Sequence, residues 1–343
     1  MQNEVILLFG GKSEEKLVSV ASAQNLASHF AFSELLFQDA AEKIYRVSKE
    51  ELLAHQNVFT TEFRPQKPAL NESLEQLAGI MQNKILFLAL HGAQGENGEL
   101  QLLLENNLVK YTGSGPEASR WAFEKNLAKE IISHTEIRMP AEIKFRISEI
   151  PAFREHFIKF LALHKKIVFK PTASGSSFGL HIVDSEPALE TALESISKGE
   201  FQSYLAENFI RGRELTIGVM QDQEELMALP ASEIVLNEGH AFDYKGKYLG
   251  AGSTEITPAR LEEDELLAAQ KVALDAHLAF GCYGYSRTDL ILTSAGPVFL
   301  ETNTLPGLSR PSFFPQQLLA ADISFSHFIN AQIELAARRY ETH

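Results

Sequence analysis

Residues able to do chemistry concentrate in Ser286-Arg-Thr-Asp-Leu-Ile-Leu-Thr-Ser-Ala-Gly-Pro-Val-Phe-Leu-Glu-Thr-Asn303. The turn Ser294-Ala295-Gly296 separates two β-patterned runs, which predicts a hairpin. With Ala295 at its centre, Thr293 faces Pro297, and counting back sets Asp289 opposite Glu301 and Arg287 opposite Asn303. Strand alternation then puts all four on one face. Facing carboxylates repel unless a cation lies between them. Hard oxygen donors without His or Cys select Mg²⁺, which normally shares its coordination with substrate phosphates. A solvated strand face could carry the same acids, but an arginine beside them is what phosphoryl transfer needs near its metal.

Two further stretches are weaker alone. In Lys170-Pro-Thr-Ala-Ser-Gly-Ser-Ser-Phe-Gly179, Gly175 and Gly179 sit among serines, so backbone N–H groups can turn inward and cradle phosphate oxygens. Lys170, ending an apolar run, can neutralise a phosphate as a point charge. The loop lacks the GK[ST] of a Walker A motif, and many hairpins are equally rich in Gly and Ser. In Ser203-Tyr-Leu-Ala-Glu-Asn-Phe-Ile-Arg-Gly-Arg-Glu214, Glu207 and Glu214 bracket apolar residues. That spacing could hold adenine and ribose, and fits an ordinary strand and turn equally well.

These groups need a scaffold, and the chain is long enough for two or three domains at 343 residues. Val5 to Phe9 and Lys84 to Leu90 read as buried strands, each ending in a glycine loop, with helices starting at Ser13 as N-cap and within Glu99 to Glu105. Strand, loop, helix repeated predicts an open parallel α/β sheet with ligands at the strands' carboxyl ends. The turn residues at 112–116 mark a first boundary. Beyond it the pattern predicts one helix over 119–134, strands at 165–171, 179–184 and 203–210, a helix at about 262–280 and a last amphipathic helix at about 316–339. The stretch from about 38 to 80 shows no clear periodicity and no functional reading.

Composition limits the function classes. Lys plus Arg is 31 against 45 for Asp plus Glu, a formal charge of −14, which argues against a dedicated nucleic-acid or anionic-membrane binder. The single cysteine, Cys282, excludes a disulfide framework or a thiolate zinc cluster. No apolar run approaches the ~20 residues of a membrane span, and the N-terminus lacks the basic flank of a signal peptide. The expectation is a cytoplasmic protein.

In order, Lys125, Lys170 with its Gly/Ser loop, Glu207, Glu214, Arg287, Asp289, Glu301 and Asn303 resemble an ATP-grasp enzyme, in which two α+β domains close on ATP. With GGKSEEKLVS, HGAQGENGELQ, YTGSG, FDYKGKY and NTLPGLSRPSFFP added, nearly the whole chain resembles the D-alanine–D-alanine ligase family. The resemblance implies three domains: residues 1–113 as an N-terminal α/β substrate domain, 114–210 as a central ATP-grasp subdomain, and 211–343 as a C-terminal one with the metal site and a lid around 240–255.

It also implies roles. Glu15, otherwise an ordinary acid in a first helical turn, would bind the ammonium of the first D-alanine. Ser176 and Tyr248 would join it in a hydrogen-bonded trio that locks the lid. Lys125, Lys170 and Lys247 would meet ATP phosphates, with Gly175 and Ser177 in the phosphate loop. Glu207 would take the adenine amino group, beside Asn208, Phe209 and Ile210, and Glu214 the ribose. Asp289, Glu301 and Asn303 would hold two Mg²⁺ ions, for which Mn²⁺ could substitute. Arg287 and the Gly307 N–H would stabilise the oxyanion, and Ser312, beside Phe313, would take the second D-alanine's carboxylate. His91 would lie near the first D-alanine. The product would be a peptidoglycan precursor, and the enzyme a homodimer.

Leu17 stands where relatives usually carry Glu, Asn97 where Asp is usual, and Asn208 where Lys is common; Arg310-Pro311 before Ser312 is unusual. Two alternatives remain at this point: a D-alanine–D-lactate ligase, against which Tyr248 in KGKY speaks, and an inactive nucleotide-binding homologue.

Overall fold

The structure is a computed structural model and describes residues 4–172, 179–236 and 253–340. The first sheet contains β1 (Glu4–Gly10), β2 (Glu34–Gln38), β3 (Ile44–Val47), β4 (Lys84–Leu88) and β5 (Lys110–Tyr111), ordered β3-β2-β1-β4-β5. Val5 to Phe9 is buried throughout, as an unbroken apolar run in a sheet covered on both faces should be. The pairings are parallel except β2–β3, an antiparallel edge. That edge, and the short helices Lys49–Ala54 and Leu74–Ala78, occupy the stretch that showed no periodicity.

The carboxyl ends of β1 and β4 are tied by one hydroxyl. Ser19 Oγ accepts from Gly10 N–H at 2.6 Å and donates to Ala89 O at 2.6 Å. Gly10 lies at φ +100°, and a Cβ there would sit 2.1 Å from Gln38 O, so only glycine lets the chain turn against β2. The helix that follows is Lys16–His29, with Glu15 at its N-cap. Ser13 lies two residues before that N-cap; its hydroxyl donates to His91 O at 2.5 Å and accepts from Glu15 N–H at 3.2 Å.

The second sheet is antiparallel, ordered β6 (Glu142–Arg146), β9 (Ser203–Asn208), β7 (Ile167–Pro171), β8 (His181–Val183). Phe145, Phe157, Phe169 and Leu193 pack it against the helices Ile150–His164 and Glu186–Lys198.

The third sheet contains β10 (Arg213–Asp222), β11 (Glu225–Ala228), β12 (Ser232–Leu236), β13 (Ser253–Ile256), β14 (Tyr285–Thr293) and β15 (Gly296–Asn303), ordered β13-β12-β10-β14-β15 with β11 on β10. Leu215, Ile217, Val219, Leu290 and Leu292 face the helix Glu263–Ala279, which leaves the opposite face for function. Cys282, half-buried, packs beside the buried Phe280 and Phe299, and its surroundings push the thiol up to about 12, away from the thiolate form.

Two predicted helices are each divided. The first breaks at Glu124 into Pro116–Phe123 and Lys125–Ser133, and the freed Lys125 N–H donates to Thr172 O at 2.9 Å. The last becomes Phe313–Ala320 and Phe325–Arg338, separated by a turn with Asp322 at φ +58°. Periodicity carries across such breaks because the apolar stripe resumes after the turn. Leu305, Leu308, Phe314 and Phe328 share one buried core with the first sheet, so the C-terminal segments are anchored on the N-terminal sheet.

Candidate active site

The hairpin β14–β15 aligns Asp289 with Glu301 and Arg287 with Asn303, all half-buried on the face away from the helix Glu263–Ala279. Thr293 pairs with Gly296, not Pro297. The turn is therefore two residues long, and a bulge between Phe299 and Glu301 restores the count.

Arg287 grips Asp289 with two bonds, Nε to Oδ1 and Nη2 to Oδ2, each 3.0 Å. Thr216 Oγ1 also donates to Asp289 Oδ1 at 2.5 Å. Glu301 Oε2 lies 3.2 Å from Lys125 Nζ. Asn303 Oδ1 accepts from Leu305 N–H at 3.0 Å, which fixes the start of the following loop. Glu214 precedes Thr216 by two residues on β10 and so shares its face. No group of three His, Cys, Asp or Glu side chains disposed for a metal occurs among the described residues. The donor set here is instead two carboxylates and an amide oxygen, which fits a hard divalent cation completed by phosphate oxygens.

Across the cleft, Glu207 on β9 is buried between two lysines. Lys170 Nζ lies 2.7 Å from Oε2, and Lys129 Nζ contacts Oε1. Burial would raise this carboxyl, but the two ammonium groups outweigh it and hold the group below its usual range. Asn208 turns away from the cleft: its Oδ1 accepts from Ala141 N–H at 2.7 Å, locking the end of β9. Phe209 stacks under Lys166 Nζ, 4.4 Å from the ring centroid, and Ile210 follows it half-buried.

The N-terminal loops close the third side. His91 is 3 % exposed. Its Nδ1 faces Leu305 O at 2.8 Å and therefore carries the proton, so Nε2 accepts from Ser22 Oγ, also at 2.8 Å. Burial pulls the imidazole below its ordinary value, with the Glu15 carboxylate pulling the other way. Ser22 Oγ also accepts from Leu308 N–H at 3.0 Å, and Asn25 Nδ2 donates to Leu308 O at 2.8 Å. Three polar side chains thus hold the backbone between Leu305 and Leu308. Gly307 sits between them, where a Cβ would lie 2.8 Å from Ser312 Oγ. Ser312 stands at the N-cap position of the helix Phe313–Ala320 without a side-chain capping bond; its hydroxyl instead bonds Ser309 Oγ at 2.7 Å, and the next residue, Phe313, is buried.

Glu15 is half-buried at the mouth of this pocket, its Oε2 3.9 Å from where a Cβ on Gly92 would stand. Glu96, from the same glycine loop as His91, accepts from Gly92 N–H at 2.8 Å. Burial first, and Glu15 second, raise its carboxyl to about 8.

Family models described as the D-ala D-ala ligase N-terminus and C-terminus match residues 4–114 and 144–334. This chain belongs to the D-alanine–D-alanine ligase family. A D-alanine–D-alanine ligase from Leptospira interrogans is 32% identical over 351 residues, covering 98% of this chain and 99% of the relative. The VanG D-Ala:D-Ser ligase from Enterococcus faecalis superposes with a TM-score of 0.82 at 26% identity, covering 98% of this chain and 100% of that one. The Bacillus anthracis D-alanine–D-alanine ligase complexed with ATP gives 0.74 at 25% identity, covering 99% of each chain.

In this D-alanine–D-alanine ligase family member, contacts join the described groups in three sets: Arg287 with Asp289 and Lys125 with Glu301, Lys170 with Glu207, and His91 with the loop at Leu305. Gly175, Ser176, Ser177, Lys247 and Tyr248 lie outside the described residues. Sequence reading gave no role to Ser22, Asn25, Glu96, Lys129 or Thr216. Glu96 stood inside a quoted motif and Lys129 four residues beyond Lys125, but nothing local marks either as a partner of a distant group. Among the described residues no helix is long and apolar enough to cross a membrane.

Proposed function

We propose that this chain joins two D-alanines in an ATP-dependent reaction through a D-alanyl phosphate. One observation supports the reading above others: Asp289, Glu301 and Arg287 share a face beside Lys125, while the loop 305–312 is held over the same cleft.

A carboxylate is a poor electrophile. The first D-alanine, its ammonium held by Glu15, therefore attacks the γ-phosphorus of ATP, breaking the β,γ-bridging P–O bond and releasing ADP. Lys125 and Lys170, with Lys247, offset charge on the phosphates, so catalysis is mainly positioning and electrostatics. Asp289, Glu301 and Asn303 would hold Mg²⁺, which when bound offsets charge on the terminal phosphates. The deprotonated amine of the second D-alanine, its carboxylate at Ser312, then attacks the acyl carbon. Arg287 and the Gly307 N–H stabilise the oxyanion, and phosphate leaves. Glu207 would read the adenine amino group and Glu214 the ribose. Ser176 and Tyr248 would close the site against water, which would otherwise hydrolyse the acyl phosphate.

The proposal extends to the three domains bounded at 113/114 and 210/211, a homodimer, a cytoplasmic location, and peptidoglycan precursor synthesis as the use of the product. The test is phosphate release by purified protein with ATP, Mg²⁺ and D-alanine, with D-serine and D-lactate supplied as competing nucleophiles and products identified by mass. D-Alanyl-D-alanine should dominate. An ester or D-alanyl-D-serine as main product would overturn the substrate assignment, and absence of D-alanine-dependent phosphate release would overturn the activity.

A further inference from the structure

Glu207 has a cross-strand neighbour of its own charge. In the β6–β9 ladder it stands directly opposite Glu142, and facing carboxylates repel unless a cation separates them. Lys129 is that cation. Its Nζ lies 3.5 Å from Glu142 Oε2 and contacts Glu207 Oε1, with only 2 % of its side chain exposed. It comes from the helix Lys125–Ser133, one turn beyond Lys125, which reaches Glu301 instead. Glu142 has a second cation in Lys144, 3.3 Å from Oε1. Glu207 has its second cation in Lys170, on the other oxygen.

The two lysines on Glu207 are not equivalent. Lys170 stands one residue before the end of β7, which leads to the stretch read as a phosphate loop, so it is placed to exchange Glu207 for a phosphate. Lys129 is buried and has no such second task. Close ion pairs to a buried carboxylate bias its orientation as well as its ionisation.

We propose that Lys129 is the positioning residue for adenine recognition: it holds Oε1 of Glu207, so that Oε2, released as Lys170 turns to the phosphates, accepts the exocyclic amino group of the base. This deepens the reading of Glu207 as the adenine contact and rests on it. Lys129 itself touches neither the base nor the reacting atoms.

The experiment compares kcat and KM for ATP and for ITP, whose base carries an acceptor oxygen in place of the amino donor. It uses the full chain and its K129M, K129R and E207Q variants. K129M should raise the KM for ATP roughly tenfold or more with a smaller effect on kcat, leave the KM for D-alanine unchanged, and lower the ATP:ITP preference by a similar factor. K129R should restore most of the preference. E207Q should lose it too, because a rotated amide presents a donor to the oxo group. If K129M does not fold by thermal melt, K129Q carries the same expectation. Preference lost in E207Q but kept in K129M or K129Q would overturn the role of Lys129 and leave Glu207 as base contact. Preference kept in E207Q would overturn the adenine assignment itself, and this proposal with it.

Discussion

Asp289 lies opposite Glu301 because two irregularities in the same hairpin compensate. The two-residue turn sets Thr293 against Gly296, which alone would place Asp289 across from Leu300; the bulge then moves the partner on by one residue. The two acids so brought together have separate cations, Asp289 the Arg287 on its own strand and Glu301 the Lys125 of the helix Lys125–Ser133. The cleft is thus charge-balanced by side chains that phosphates and a divalent cation would rearrange.

Changing either partner type at this centre should slow turnover steeply without unfolding the chain. Glu301→Gln keeps the shape and loses the anion; Arg287→Lys keeps a charge and loses the bidentate grip on Asp289. Each should lower kcat about 10²–10³-fold, the scale seen when one transition-state donor is removed. Steady-state phosphate release with thermal melts as a folding control measures this, and near-normal kcat in either variant would refute the assignment.

Asn25 should act on the second substrate from a distance. Its amide holds Leu308 O, next to the Gly307 N–H expected to donate to the oxyanion. Asn25→Ala should cost about 1 kcal/mol of stability, the usual worth of one such bond. It should also raise the KM of the D-alanine that supplies the amine more than that of the D-alanine that is phosphorylated. Two-site D-alanine kinetics separates the effects; equal shifts at both sites would count against this route.

Glu96 should leave a mark on the pH dependence of stability. Its carboxyl ionises near 4.5 ordinarily and at about 8 in the fold. Between those values the folded chain keeps a proton that the unfolded chain has released. The unfolding free energy should therefore fall as pH rises, by at most about 1.4 kcal/mol per pH unit for one group. Below 4.5 and above 8 the slope from this group vanishes. Glu96→Gln keeps an acceptor for Gly92 N–H and cannot ionise. Urea melts from pH 5 to 8 should show the variant gaining on the parent chain as pH rises, and parallel curves would refute the shift.

Gly307→Ala tests a close approach. The added Cβ would come within 2.8 Å of Ser312 Oγ and 3.5 Å of Val18 Cγ1. Either the loop or the Ser312 hydroxyl must move, so capture of the second carboxylate should weaken. The expected result is roughly tenfold lower kcat/KM for the amine-donating D-alanine with ADP-forming activation retained. Positional isotope exchange in ATP reads activation separately, and loss of both steps would point to collapse of the pocket instead.

What the amino-acid order determined by itself was everything carried by local periodicity and by contiguous motifs. The buried run Val5 to Phe9, the glycine loops after β1 and β4, and the four-residue constellation on the hairpin are legible because side chains alternate with period two and turns have recognisable residues. The pairing of Asp289 with Glu301 was legible by a count that assumed a symmetric turn; the turn and the bulge differ from that count in opposite senses. Tertiary structure decided what touches across long separations. Ser13 looks like the N-cap until the helix starts two residues later, with the serine hydroxyl joining Glu15 N–H to His91 O, and Glu124 looks helical until Thr172 O takes the next amide. Ser22, Asn25 and His91 look like ordinary core polar residues until the loop 305–308 is laid against them. Lys129 looks like a solvated helix lysine until β6 and β9 set two carboxylates side by side. Those contacts join segments far apart in the chain, and no local spacing encodes the distance between two surfaces that only the packed core brings into register.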